Sequence, residues 1–121
     1  MNKFNSIHNR FFSYIFSGVY GAKDYRAVRG CNMSFWKSDV YDINGFNQDF
    51  IGWGREDSEF VVRLLNSGIK RKNLKFAGVA YHIYHKVNVV NSTFEKNQAI
   101  LEDAILQKRK KCSHGIDKVN L

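Results

Sequence analysis

The segment WGREDSE, residues 53–59, places a tryptophan directly before three carboxylates, those of Glu56, Asp57 and Glu59. Of two adjacent carboxylates, one can accept hydrogen bonds from substrate hydroxyls while the other acts as a general base on a hydroxyl nucleophile. Trp53 lies between two glycines, and the face of an indole ring is a suitable platform for the C–H face of a sugar. These residue types at this spacing indicate a carbohydrate site with Glu56 and Asp57 in separate roles.

Helix capping is the alternative explanation of the same carboxylates. If a helix begins near Glu56, its first turn contains all three acidic residues, and unpaired backbone N–H groups and the helix dipole favour negative charge there. An acidic first turn does not require a tryptophan flanked by Gly52 and Gly54, however. The glycine-flanked ring therefore favours the carbohydrate site over capping alone.

A second candidate for chemistry is the pair His82 and His85 in the segment YHIYHK. Neutral imidazoles are good ligands for Mn²⁺ and Zn²⁺. Side chains three residues apart on a regular strand point to opposite faces, so the two rings converge only at a turn or a distorted strand end. The alternative is that both are ordinary half-buried strand histidines.

The elements expected to position these residues alternate between helices and strands. Apolar periodicity and end signals predict four helices, over residues 4–16, 38–44, 56–67 and 93–110. Ser38 and Thr93 are the candidate N-caps of the second and fourth. β-Branched and aromatic content predicts strands over residues 26–36 and within 69–85. We therefore expect an α/β fold in which a small mixed sheet carries flanking helices.

The positive charge of the chain suggests a polyanionic partner. The 121 residues fit one domain, and the net charge of +8 is concentrated in basic clusters at residues 70–75 and 108–111. Such clusters suit nucleic acid, a nucleotide diphosphate or an anionic membrane surface, and they also occur as plain solvated surface. The aromatic residues cluster around residues 35–60, away from the basic runs, so we expect no nucleic-acid partner.

The cysteines and the apolar runs indicate in which cellular compartment the chain is expected. Cys31 and Cys112 are the only cysteines, and two cysteines this far apart indicate a reducing compartment rather than a disulfide framework. The apolar stretch after Arg10 is short and interrupted by serines, so we expect no signal peptide, and no run approaches the roughly 20 apolar residues of a membrane span.

The order of features in residues 29–86 resembles a known enzyme family. It comprises a glycine-containing predicted strand, an NGF turn, an aromatic–glycine loop with W-G-x-E-D, a helix, and a histidine after the next predicted strands. This order resembles the C-terminal half of galactosyltransferase-type glycosyltransferases with the A-type nucleotide-sugar fold. That group includes the β-1,4-galactosyltransferases and bacterial polysaccharide relatives. W-G-x-E-D in this setting is a far more specific signal than either half of the motif alone.

The resemblance implies a role for each matching residue of the loop. Trp53 would line the pocket for the acceptor and donor sugars, with Gly54 and Arg55 beside it among the substrate-binding residues. Glu56 would hold acceptor hydroxyls. Asp57 would be the catalytic base that deprotonates the acceptor.

The resemblance also implies a metal and a reaction. Gly30 and Asn32 would border the sugar pocket, and His85, together with His82, would bind Mn²⁺ or Mg²⁺. The reaction would be direct displacement at the anomeric carbon of a UDP-sugar with inversion, and the metal would neutralise the diphosphate leaving group. Galactose is the family label, and glucose or an N-acetylhexosamine would suit the same residues.

The chain departs from the family pattern at its beginning. No Asp-x-Asp metal motif is present, and about 28 residues precede the similarity, where the family has an N-terminal nucleotide-binding half. We therefore interpret residues 1–121 as one partial domain, with a helical extension (1–28), a catalytic and acceptor-binding region (29–86) and a basic C-terminal helix and tail (87–121). Such a chain can be inactive alone, and a non-catalytic glycan-binding module that retains the fold is the alternative.

The expected partners follow from this interpretation. They are a UDP-sugar donor, a glycan acceptor of bacterial-type polysaccharide or glycoconjugate synthesis, and an anionic membrane surface. The basic run at residues 108–111 motivates the last of these. We accordingly expect a cytoplasmic protein that is peripheral at the inner face of the membrane.

Overall fold

The computed structural model describes residues 10–17, 24–26, 28–73, 83–84 and 91–118. Four α-helices occur in these residues, α1 (Arg10–Ser17), α2 (Lys37–Asp42), α3 (Glu56–Asn66) and α4 (Asn91–Leu106), with 3₁₀ turns at Gly30–Asn32 and Ile116–Lys118. The chain divides into two compact units. One comprises Met1–Asp24 and Lys70–Lys86, and the other comprises Tyr25–Ile69 and Val87–Leu121.

The predicted α/β fold with a small mixed sheet is wrong, because the described residues form helices and turns and no strand. The predicted strand at residues 26–36 contains the 3₁₀ turn, flanked by extended backbone at Arg29 and Met33. The Asn32 N–H donates to the Arg29 carbonyl oxygen over 2.9 Å, and the Gly30 N–H donates to the carboxylate of Asp57. These donors are therefore committed to a local turn and a side chain, not to a neighbouring strand. Most of the strand prediction within residues 69–85 lies outside the described residues.

Helix α3 agrees with the sequence prediction to within one residue. Its first turn carries Glu56, Asp57 and Glu59, and Phe60 on its apolar face is fully buried. The helix ends in a Schellman motif, in which the N–H of Ile69 donates to Leu64 and that of Gly68 donates to Leu65. Gly68 has a φ of +89°, the left-handed conformation that this ending requires.

The ends of α2 and α4 differ from the predictions. Trp36, not Ser38, precedes the first turn of α2, and α4 begins at Asn91, so Thr93 lies inside the helix instead of capping it. Lys108 has a φ of +49°, and the N–H of Arg109 donates to Ala104, so α4 ends by a second Schellman-type turn. The basic run at residues 108–111 therefore follows the helix and does not lie on it.

The larger unit has two small apolar clusters on the two sides of α3. One comprises Val28, Ile43, Phe60 and Val61, and the other comprises Val62, Leu101 and Ala104, where α4 packs on α3. The ring of Phe46 stacks on Phe60 with centroids 4.2 Å apart. α3 is thus held between the turn after α2 and the face of α4, and its first turn has a fixed position.

A buried ion pair links α3 to that turn. The carboxylate of Glu59 accepts two hydrogen bonds from the Arg63 guanidinium, at 2.6 and 2.9 Å, and Nη1 of Arg63 donates to the Ile43 carbonyl oxygen at 2.6 Å. Both side chains are almost completely buried. Glu59 is therefore a structural carboxylate, unlike the two acidic residues before it.

The C-terminal segment, residues 112–118, covers the Asn44 turn, which we define as Asn44 and Gly45. The Asn44 side chain donates to the Cys112 carbonyl oxygen at 3.1 Å and to the Asp117 carboxylate at 2.7 Å, and it accepts from the Asp117 N–H at 3.1 Å. The hydrogen bond from Asn44 lowers the pKa of Asp117, and burial raises the pKa of the Cys112 thiol. The segment thus seals the turn with specific hydrogen bonds.

The smaller unit contains α1. Four large side chains of this helix are exposed, those of Phe11, Phe12, Tyr14 and Ile15. In the same unit, Nη1 of Arg71 donates to the Asp24 carbonyl oxygen at 2.7 Å. No helix in the described part of the chain has both the length and the apolar character needed to cross a bilayer.

Candidate functional site

The site loop, which we define as residues 52–57, has an unusual backbone conformation and includes the first two residues of α3. Gly52, Gly54 and Arg55 all have positive φ, at +73°, +110° and +76°. A Cβ atom at Gly54 would lie 3.1 Å from the ring of Phe94, so the glycine permits the loop to approach α4 closely. The loop turns sharply here, and the first two carboxylates of α3 follow immediately.

Trp53 forms one wall of the candidate site. Its ring stacks on Phe94 of α4, with centroids 6.2 Å apart and planes inclined by 24°, and 52% of the residue remains exposed. Asn97 of α4 anchors the residue before the loop, because its side-chain amide donates a hydrogen bond to the Ile51 carbonyl oxygen at 3.1 Å. The indole is therefore fixed on one side and open to solvent on the other, as a sugar platform requires.

Asp57 is fixed by a residue 27 positions earlier in the chain. Its Oδ2 accepts a hydrogen bond from the Gly30 N–H at 2.6 Å, and a Cβ atom at position 30 would lie 2.5 Å from Oδ1. Only glycine allows this approach without displacing the carboxylate. Within the described residues, no hydrogen bond uses Oδ1. One oxygen of Asp57 is thus anchored, and the other remains available to a ligand.

Glu56 supplies the second carboxylate of the candidate site. Its Oε2 is buried and makes no hydrogen bond to any residue that the structure describes. A buried polar atom without a hydrogen bond is unfavourable by about 1–3 kcal/mol, so such atoms are commonly satisfied by water or by a ligand. Glu56 is therefore placed to accept a hydrogen bond from a bound hydroxyl.

These side chains surround a cavity of about 150 Å³. Its lining residues come from the segment before the first 3₁₀ turn, the site loop with the first turn of α3, and the start of α4: Val28, Arg29, Trp53, Gly54, Arg55, Glu56, Asp57, Ser58 and Phe94. Two arginines and two acidic residues therefore line one small, partly aromatic space. Ligand pockets in proteins usually measure about 300–1,000 Å³, so this cavity matches part of a substrate, such as one sugar ring.

The structure brings together most of the residues predicted from the sequence. Five consecutive residues, Trp53 to Asp57, line the cavity, and Gly30 contacts Asp57. Asn32 lies in the neighbouring 3₁₀ turn and is not part of the cavity wall. His82 and His85 lie outside the described residues, so the prediction of a metal site at these histidines stays a prediction. The described residues contain no cluster of three or more side chains suited to hold a metal ion.

Four residues that line the cavity are not among the site residues predicted from the sequence: Val28, Arg29, Ser58 and Phe94. Phe94 lies in the predicted helix at residues 93–110, and Arg29 lies in the predicted strand at residues 26–36. Each is far from the site loop in the chain, and neither has a local motif that would single it out. The pairing of Trp53 with Phe94 becomes visible only once α4 packs on α3.

A larger cavity of about 360 Å³ lies elsewhere in the same unit. Three carboxylates line it, but each already has a cationic or imidazole partner. Glu59 bonds Arg63, Asp103 lies 2.6 Å from Nη2 of Arg109, and Oδ1 of Asp49 lies 2.8 Å from Nδ1 of His114. Its polar groups are therefore occupied by the fold, and it is the weaker candidate.

Comparison with protein-family models matches residues 10–86 to a family described as the N-terminal domain of galactosyltransferase. The match includes the site loop, Gly30 and both histidines, and it ends before α4. Comparison with curated proteins and with solved structures gave no match. The family match supports a transferase-type enzyme in general and leaves the expectations of a C-terminal half and of a bacterial subfamily as expectations. Because the match covers well over half of the 121 residues, this chain belongs to the galactosyltransferase family.

Proposed function

We propose that this chain is the acceptor-binding and catalytic portion of an inverting, UDP-sugar-dependent hexosyltransferase. It would correspond to the C-terminal half of such an enzyme and would act in bacterial-type polysaccharide or glycoconjugate synthesis. The observation that carries the proposal is the anchored carboxylate of Asp57, 2.6 Å from the Gly30 amide at a cavity walled by Trp53. Family membership supports the transferase class.

Asp57 is the catalytic base in this proposal. As the acceptor hydroxyl attacks the anomeric carbon, its O–H bond breaks toward Asp57 and a new C–O bond forms. The bond from the anomeric carbon to the diphosphate breaks at the same time, and UDP leaves with the electron pair. Anchoring Oδ2 on Gly30 holds the carboxylate in one orientation, which lowers the entropy lost on reaching the reactive geometry.

Glu56 and Trp53 bind the acceptor. The unpaired Oε2 of Glu56 accepts a hydrogen bond from a sugar hydroxyl and is relieved of an unfavourable buried state. The exposed face of Trp53 stacks on the sugar ring. Together they orient the attacking hydroxyl toward Asp57.

The metal belongs to the same proposal. His85 and His82 would hold Mn²⁺ or Mg²⁺, and their imidazole nitrogens suit Mn²⁺ better. When bound, the ion neutralises the charge of the diphosphate.

We also propose that the protein is cytoplasmic and contacts an anionic membrane surface through the basic run at residues 108–111. Lys108, Lys110 and Lys111 are exposed in the turn that follows α4, whereas Arg109 pairs with Asp103. Flotation with liposomes tests this contact. Equal recovery of the protein with anionic and with neutral liposomes would overturn the proposed membrane contact.

A non-catalytic glycan-binding module is the second candidate. The small size of the cavity favours it, since about 150 Å³ suits a sugar ring better than a whole nucleotide sugar. In that case Trp53 and Glu56 would bind a glycan, and no transfer would follow.

One experiment separates the two candidates. Acceptor monosaccharides and UDP-sugars are added with Mn²⁺, or with diamagnetic Mg²⁺ for the spectra, while NMR follows the Trp53 indole and the Gly30 and Gly54 amides. Product formation is measured in parallel. We expect acceptor sugars to shift all three signals and Asp57→Asn to lower transfer by about 10²–10⁴-fold, because Asn still accepts from Gly30 but cannot take a proton.

Asp42→Asn, an exposed change on α2, is the matched control and should leave both readouts unchanged. Sugar binding without transfer by the wild-type chain would support the glycan-binding module. Wild-type transfer rates in Asp57→Asn would overturn its role as base. No response to any sugar at millimolar concentration would overturn both candidates.

A further inference from the structure

The backbone at Arg55 is unfavourable for an arginine. Arg55 immediately precedes α3 with a φ of +76° and a ψ of −12°, in the left-handed region that non-glycine residues rarely occupy. Its side chain makes no capping hydrogen bond, and serine, threonine, asparagine, aspartate and glycine are the residues that suit this position. Neither the backbone nor the helix end explains an arginine here. Strained residues of this kind concentrate at ligand sites.

The side chain of Arg55 contacts an aromatic ring and uses none of its hydrogen-bond donors on the described residues. Its guanidinium carbon lies 5.0 Å from the centroid of the Phe94 ring, which also stacks on Trp53. Among the described residues the guanidinium makes no hydrogen bond or ion pair, although Glu56 and Asp57 are its chain neighbours. A cation–π contact uses the charge of the guanidinium and none of its N–H donors, so these donors remain available to a ligand.

A second arginine lines the same cavity. The guanidinium of Arg29 makes one hydrogen bond within the described part of the chain, to the Val28 carbonyl oxygen at 3.2 Å. Two arginines that keep hydrogen-bond donors uncommitted among the described residues therefore line a cavity together with Glu56 and Asp57. The positive groups offset the repulsion that Glu56 and Asp57 would exert on an anionic ligand.

We propose that Arg55, assisted by Arg29, binds a two-oxygen anionic group on the substrate and so determines substrate specificity. This proposal rests on the proposed function and names its substrate class. A guanidinium matches carboxylate and phosphate geometry through paired N–H donors. The anion is either the carboxylate of an acidic sugar in the acceptor or the diphosphate of the donor. The chemistry is the same in both, and the experiment distinguishes them.

The test compares methyl β-glucuronide with methyl β-glucoside, which differ by a carboxylate in place of a hydroxymethyl group, and adds inorganic pyrophosphate as a third ligand. Binding is followed by the NMR signal of the Trp53 indole. We expect the wild-type chain to bind the glucuronide about three- to tenfold more tightly than the glucoside, as a partly solvated charge pair allows. Arg55→Gln should abolish that preference, and Arg55→Lys should retain only part of it.

Lys37→Gln is the matched control, because Lys37 also lies over an aromatic ring, that of Tyr41 at 5.5 Å, but outside the cavity. It should leave the preference intact. An Arg55-dependent affinity for pyrophosphate alone would support the proposal with the donor diphosphate as the anion. Equal binding of both sugars with no Arg55-dependent pyrophosphate affinity would overturn this inference and leave the proposed function standing. No response to any of the three ligands would also overturn this inference, and the titration with acceptor monosaccharides and UDP-sugars would still test the proposed function.

Discussion

Asn44 and Arg55 are both non-glycine residues with left-handed backbone, and their surroundings differ completely. Asn44 has a φ of +65°, and its side chain makes three hydrogen bonds to the C-terminal segment. Arg55 has a φ of +76°, and within the described residues its side chain makes no hydrogen bond. In the Asn44 turn the unfavourable backbone is offset by the fold itself. In the site loop nothing in the described fold offsets it, and a ligand is the simplest compensation.

The same contrast holds for the groups around each residue. Below the Asn44 turn, the buried carboxylate of Glu59 is satisfied by Arg63, which also bonds the Ile43 carbonyl oxygen. In the site loop, Oε2 of Glu56 is buried without a partner among the described residues. A scaffold satisfies its polar groups internally, whereas a binding site keeps some of them open.

Arg63→Ala is the substitution expected to lower the stability of the fold most. The substitution leaves the Glu59 carboxylate buried without its cation and also removes the hydrogen bond to Ile43. We expect the free energy of unfolding to fall by about 3–5 kcal/mol. Urea or thermal denaturation of the purified chain measures the loss.

The double variant Glu59→Met with Arg63→Met is the control for this prediction. Because it removes both charges and keeps apolar volume, it should be considerably more stable than Arg63→Ala. A loss below about 1 kcal/mol for Arg63→Ala would show that the pair contributes little to the fold.

Substituting both left-handed residues by alanine tests the comparison directly. Alanine at either position keeps a Cβ atom on a left-handed backbone, so the two variants differ mainly in the side-chain contacts that are removed. Asn44→Ala loses three hydrogen bonds, and we expect a loss of about 2–3 kcal/mol in the free energy of unfolding. Arg55→Ala loses one exposed cation–π contact, about 0.5–1 kcal/mol.

The reactivity of Cys112 towards a thiol reagent gives a second readout for the variants Asn44→Ala and Arg55→Ala. Cys112, the first residue of the C-terminal segment, is buried with its Sγ 3.4 Å from the Asn44 carbonyl oxygen, whereas Cys31 is exposed. Asn44→Ala should increase labelling of Cys112 by a thiol reagent relative to Cys31, and Arg55→Ala should not. Equal stability losses in the two variants would remove the distinction between the scaffold turn and the site loop.

The sequence predicted the local features of this fold and not the long-range ones. The bounds of α3 and the NGF turn at residues 44–46 follow from periodicity, end signals and glycine preference, which are properties of neighbouring residues. The strand prediction at residues 26–36 was wrong because β-propensity measures how well a residue fits an extended, partly buried surface. It does not show whether a neighbouring strand is present for pairing. Gly30 has its hydrogen-bond partner 27 residues away, in the side chain of Asp57.

The candidate site shows the same limit. Trp53, Glu56 and Asp57 form one motif, so the sequence placed them together correctly. Phe94 and Arg29 join the cavity through the packing of α4 and the approach of the first 3₁₀ turn, which no short motif encodes. The burial of Glu59 could not be predicted from the sequence either, because Glu56 and Asp57 lie in the same acidic first turn of α3.

Gly45 and Gly30 allow a comparison of close approaches in the two regions. A Cβ atom at Gly45, where φ is +69°, would lie 2.5 Å from Cγ1 of Ile116, in the packed contact with the C-terminal segment. We expect Gly45→Ala to lower the free energy of unfolding by about 1–3 kcal/mol, because both backbone strain and overpacking act. Denaturation measures this effect, and an unchanged stability would show that the segment does not pack on the turn.

Gly30→Ala should have a small effect on stability and a large effect on the site. Its Cβ atom would lie 2.5 Å from Oδ1 of Asp57, the end of a side chain that can move away, so we expect a loss of less than about 1 kcal/mol. Moving that carboxylate breaks its hydrogen bond to the Gly30 amide and removes the orientation that the proposed base requires. NMR should therefore show the Asp57 carboxyl carbon shifted and the acceptor-induced shift of the Trp53 indole reduced, in a chain whose unfolding is nearly unchanged. An unaltered Asp57 signal and normal sugar binding in Gly30→Ala would show that the contact is incidental, and the site would then lose the feature that separates it most clearly from the scaffold.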